Sequence, residues 1–159
     1  MNSVSGANPS FNRRRESKRT PLHWAAAYGH LAIVRLLLSS GGDRDARTTF
    51  GRTPVLEAMV ENKLDVLTYL LDQGASVNTR TNSGWTMLHD AAANGKVDAV
   101  QMLIERGADK GHARLESKDS QGSTPLHYAV RAQKFLPVRR LLRLGASTIA
   151  KDLNGNTPL

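Results

Sequence analysis

The chain has no cysteine. Disulfides, thiolate metal sites and thiol nucleophiles are therefore excluded together, and a reducing compartment, cytoplasmic or nuclear, is expected. Nowhere do eighteen apolar residues run together, and the first twenty residues lack the apolar stretch of a signal peptide. Neither membrane insertion nor export by that route is expected. Aromatic residues make up only 5% of the 159 residues. No HExxH, glycine-rich phosphate loop or nucleophile beside a base can be found, and carboxylates such as Asp43, Asp45, Asp98, Asp109, Asp119 and Asp152 stand where turns and helix starts favour them. No catalytic, cofactor or metal site is expected, and the chain reads as a non-enzyme.

What is present is a period. Threonine opens TPLH at Thr20, TPVL at Thr53, TMLH at Thr86, TPLH at Thr124 and TPL at Thr157, a repeat of 33 residues lengthened once by five. Gly51, Gly84, Gly122 and Gly155 precede the threonine by two residues, in register. Threonine is a good helix N-cap, and proline at the next position loses an N–H that has no helical partner there. Gly29 and Gly95 supply a left-handed stop about two turns later, and Asn62 is the next best residue for that conformation. A second helical pattern follows in each unit, as in Leu64, Leu67, Leu70 and Leu71. The segment after it, for example Gly74 to Gly84, carries turn residues and reads as a hairpin finger.

Through TPLHWAAAYGH, LLDQGASVN, LHDAAANGK and TPLHYAV the sequence resembles the ankyrin repeat family, over Lys18 to Leu159. The expected fold is an all-α solenoid of helix–turn–helix units with β-hairpin fingers, each unit stable only when stacked on neighbours. The register gives a disordered basic tail over 1–19, an ankyrin repeat domain over 20–156 with units 20–52, 53–85, 86–123 and 124–156, and the start of a truncated fifth unit at 157–159. Three departures stand out: Leu56 in place of histidine, Met87 in place of proline, and Gln133 where a left-handed glycine is expected. The last is expected to cost on the order of 1 kcal/mol and to make the fourth unit fray first. The resemblance assigns His23, His89 and His127 to hydrogen bonds within and between repeats rather than to a metal or to acid–base chemistry.

The resemblance also implies protein–protein binding, as an adaptor or scaffold, through finger tips and exposed positions of the first helices. Those positions are Arg19, Arg52 and Trp85 just before the threonine, Trp24, Glu57, Asp90 and Tyr128 four residues after it, and Tyr28, Glu61 and Asn94 eight after it. Tryptophan and tyrosine are the types that anchor interfaces. The five-residue insertion, most simply Gly111 to Leu115, adds His112, Arg114 and Leu115 to this surface. The net charge of +8 is uneven: +4 over 1–19 and +5 over 124–156, with a mildly acidic middle. Arg13, Arg14, Arg15, Lys18 and Arg19, with the fourth unit's Arg131, Lys134, Arg139, Arg140 and Arg143, make nucleic-acid or anionic-surface binding a second reading. A third is a recruiting or regulatory portion of a larger enzyme, and two uncapped ends raise weak self-association.

Overall fold

The computed structural model describes residues 18–108 and 115–159. The cluster Arg13 to Arg15, and His112 and Arg114, lie outside them. Among the described residues the chain forms four antiparallel helix pairs: α1 (Pro21–Tyr28) with α2 (Leu31–Ser39), α3 (Pro54–Val60) with α4 (Leu64–Asp72), α5 (Met87–Asn94) with α6 (Val97–Leu103), and α7 (Pro125–Arg131) with α8 (Phe135–Arg143). A π turn, Ile104–Ala108, extends α6. The pairs stack in order, α1 on α3, α3 on α5 and α5 on α7, giving an all-α solenoid with a continuous core.

Each first helix begins at the repeated threonine, whose backbone is extended and therefore half outside the helix. The capping is shared with histidine. Nδ1 of His23, His89 and His127 accepts from the backbone N–H of Thr20, Thr86 and Thr124 at 3.1–3.2 Å. The other ring nitrogen reaches the next finger, where Nε2 lies 3.0 Å from the carbonyl oxygens of Arg52 and Ser123 and 3.1 Å from that of Asn156. A carbonyl only accepts, so Nε2 carries the proton and the ring is neutral. One side chain thus caps its own helix and ties it to the following unit. The expected acceptance of a helical N–H by the threonine hydroxyl is plain at Thr86, which takes His89 N–H at 3.3 Å.

Leu56 makes no such bridge and is fully buried instead. In its unit the Thr53 hydroxyl donates to Thr79 Oγ1 at 3.4 Å, a polar link across the same gap.

The first helices stop as the left-handed pattern requires, at Gly95 (φ +74°) after α5 and at Asn62 and Gln133 (both φ +55°) after α3 and α7. Asparagine tolerates that region through its short polar side chain, whereas glutamine meets the Cβ penalty in full. Pro137 falls within the first turn of α8, where its missing N–H has no intrahelical partner.

The fingers differ from the expected β-hairpins. Among the described residues the single bridge is Arg80 with Thr86, and no strand forms. Each finger is a tight turn closed by a backbone bond, Thr48 N–H to Arg52 O, Thr81 to Trp85, Asp119 to Ser123 and Asp152 to Asn156, at 2.9–3.1 Å. The first residue's side-chain oxygen accepts in return from the N–H of the residue four later, the one whose carbonyl closes the turn. The backbone groups a hairpin would pair are spent sideways: Asn82 N–H donates to Phe50 O, Ser120 to Ser83 O, and Leu153 to Gln121 O. Pairing runs from finger to finger along the stack.

Candidate binding surface

The expected contact residues come together in three groups along the first helices and finger bases. In the first, Arg19 bonds both oxygens of Glu57 at 2.9 and 3.1 Å, and its guanidinium lies 4.7 Å from the centre of the Trp24 ring. Tyr28 stacks on Trp24 with ring centres 6.0 Å apart. Arg52 approaches Glu57 from the other side at 3.5 Å. Arg19, assigned by register to the tail, is thus held against the stack.

Glu57 itself is buried, so its expected place on the contact surface is corrected: it orients Arg19 and Arg52, which are half-buried and present the charge. A carboxylate with no exposed surface is tolerable only when paired in this way.

The second group centres on Asp90, also expected at the surface and also found buried. Its carboxylate takes Lys96 Nζ at 2.7 Å and the Asn94 side-chain amide at 3.2 Å. Lys96 also donates to Met59 O and Val60 O at 2.8 Å each. A lysine from the third unit thereby caps the carbonyl end of α3, where no glycine motif does so.

In the third group Trp85 lies against His89 at 5.2 Å and meets Tyr128 edge-on at 4.6 Å, joining the end of the second unit's finger to the first helices of the third and fourth units. The Tyr128 hydroxyl donates to Asp119 at 2.6 Å, and Arg131 lies 5.4 Å over the Tyr128 ring. Burial first, and then that bond to a carboxylate, push the phenol's pKa up.

Tyr28, Glu61, Asn94 and Arg131 are exposed, and Trp24, Trp85 and Tyr128 are half-buried. Leu115 is the remaining correction. It is 1% exposed and sits in the core, in the register of Val77, so the five extra residues fall between Gly107 and Leu115. Burial pushes the pKa of His23 and His89 down, against the opposing pull of their carbonyl bonds to Arg52 and Ser123. Among the described residues no group of three His, Cys, Asp or Glu is placed to hold a metal ion, and no helix is long and apolar enough to cross a membrane.

A stack of this pitch, with histidine bridges recurring at the fourth position of each TPLH box, has a known counterpart. The model for ankyrin repeats in three copies matches residues 3–81 and 22–114, and that for ankyrin repeats in many copies matches 88–142. The chain belongs to the ankyrin repeat family. One curated relative, the histone-lysine N-methyltransferase EHMT1 of Mus musculus, is 43% identical over 42 residues. That match covers 26% of this chain and 3% of the methyltransferase, so the chain spans a small fraction of that relative's length. Ankyrin repeats are in general protein-interaction modules without catalytic activity of their own.

Sequence reasoning missed Lys96, Asp119 and the stacking role of His89. The signal for Lys96 was its place ten residues after Thr86, directly after a glycine stop, where a long donor reaches the preceding helix end.

Proposed function

We propose that this ankyrin repeat chain is a non-catalytic adaptor whose first-helix face and finger bases bind one partner protein. The observation that carries the reading is the preorganised row of Arg19, Trp24, Tyr28, Trp85, Tyr128 and Arg131, each held by a neighbour while keeping exposed surface. Rings and guanidinium groups already fixed in place lose little freedom on association, so more of the contact energy appears as affinity.

The test is affinity capture from lysate with the intact chain, Tyr28→Ala and Glu61→Ala, both at exposed positions. A protein held by the intact chain, lost with both variants and indifferent to nuclease supports the adaptor. Capture that ignores both substitutions and vanishes with nuclease would transfer the reading to nucleic acid bound through basic residues. The match to a methyltransferase supports a second reading, a recruiting portion of a larger enzyme. Its test is whether the chain's open reading frame continues into a catalytic domain.

A further inference from the structure

The six residues preceding each repeat threonine hide a second pattern on the fingers. Arg47, Arg80, Lys118 and Lys151 occupy the same register, six residues before Thr53, Thr86, Thr124 and Thr157, and all four are exposed. None forms an ion pair with a carboxylate among the described residues, where the pairs involve Arg19, Arg44, Arg52, Lys96, Arg106 and Arg131 instead. Two of the four donate to backbone of the next finger, Arg47 to Arg80 O and Lys118 to Lys151 O, both at 2.7 Å. A carbonyl holds a cation in place without neutralising it.

Nearby acids do not pair with the row. In the first two fingers the next residue is Thr48 or Thr81. In the last two it is Asp119 or Asp152, whose oxygens are taken by finger N–H groups and, for Asp119, by the Tyr128 hydroxyl. Asp45 pairs with Arg44, and Glu116 accepts from Ser147 N–H. The finger-to-finger backbone bonds fix the spacing, which for stacked helices is about 10 Å per unit. An extended chain in the polyproline II conformation advances about 3.1 Å per residue with three residues per turn, so every third side chain lies on one side and matches one rung.

We propose that Arg47, Arg80, Lys118 and Lys151 form a single track for an extended, acidic segment of a partner protein that offers a carboxylate at about every third residue. The track deepens the adaptor reading and rests on it. A single-stranded nucleic acid would require rings for its bases. The fingertip residues beside the cations are instead Thr49, Asn82, Ser120 and Leu153, with Phe50 the one ring at the next position.

The test measures fluorescence anisotropy of a labelled peptide of about ten residues with glutamate at every third position. Its comparisons are a peptide of equal composition with the glutamates together, and an oligothymidylate. Substituting Arg47→Gln, Arg80→Gln, Lys118→Gln and Lys151→Gln together is expected to weaken the spaced peptide at least about tenfold at low salt, at roughly twofold per exposed pair, with an unchanged thermal melt. Lys118→Gln with Lys151→Gln should weaken it more than Arg139→Gln with Arg143→Gln, which removes equal charge from α8. Equal binding by the fourfold variant, equal loss in the two double variants, equal affinity for the clustered peptide, or tighter binding of the oligothymidylate would each overturn the track. Such a failure leaves the adaptor reading intact, since that is read separately through Tyr28→Ala and Glu61→Ala.

Discussion

The second and fourth helix pairs use nearly the same apolar register and reach different degrees of closure. Leu70 and Leu141 occupy equivalent positions and both are fully buried. One residue later, Leu71 is partly buried whereas Leu142 is 37% exposed, and at the start of the helix Phe135 is 72% exposed where its equivalent Leu64 is partly buried. The other end mirrors this: Ile33 is 48% exposed, where its equivalents Val66 and Ala99 are covered by a preceding unit. Burial in this stack is therefore a property of having a neighbour on each side. The position twelve residues after the threonine holds Asp65 and Asp98 on α4 and α6 but Leu136, 55% exposed, on α8, so the fourth pair combines an open apolar edge with the basic Arg139 and Arg143.

The sharpest way to expose that difference is truncation on each side of it. Leu70→Ala should cost about 2–5 kcal/mol in urea denaturation, the usual range for emptying a closed core site. Leu142→Ala should cost less than about 1 kcal/mol, because much of that side chain is already in water. Similar losses at the two sites would remove the distinction between closed and open pairs.

A smaller contrast lies in the histidine bridges, present in the third pair and replaced by Leu56 in the second. His89 is bonded in its neutral form and its folded pKa lies below the ordinary value of 6.5. Between those two values the unfolded chain binds the extra proton, so stability rises with pH. The contribution is complete above about 6.5, is lost as pH falls below that value, and levels off under the folded pKa. His89→Leu, which copies the second unit, should flatten the stability profile between pH 7 and 5, by up to about 1.4 kcal/mol per pH unit. An unchanged slope in paired denaturation series would show that the bridge carries no proton linkage.

Helix stops give the next contrast. A Cβ on Gly95 would meet Lys134 Cδ at 3.1 Å in a left-handed conformation, so Gly95→Ala should destabilise by about 1 kcal/mol or slightly more. Gln133→Gly removes the same penalty from the fourth unit. It should raise stability by a few tenths of a kcal/mol, because part of the relief is offset by the added freedom of the unfolded chain. Thermal melts of the two variants moving in the same direction would contradict the assignment.

Much of this was legible in the sequence because the responsible interactions are local. The Thr–Pro pair marks helix starts, the left-handed residue marks helix stops, and both recur at one period. What escaped were residues whose environment is supplied by another unit. Glu57 and Asp90 look like surface charges within their own helices; Glu57 is paired by Arg19 from outside its unit, and Asp90 by Lys96, whose ammonium is also tied to the end of α3 in the preceding unit. Leu115 was assigned to the insertion because its register with Val77 shows only once both are placed against the core. The fingers read as hairpins because turn composition cannot reveal that their backbone groups pair sideways with the next finger. The cation row was present in the same 33-residue register, but charge summed over whole units hides the position it recurs at.

Native-state hydrogen exchange, resolved by helix, tests most directly the claim that closure depends on neighbours. The amides of α4 and α6 should exchange last, and those of α8 should open first among the second helices flanked by a preceding unit, with Gln133→Gly narrowing the gap. Protection in α8 equal to that in α4 would contradict it.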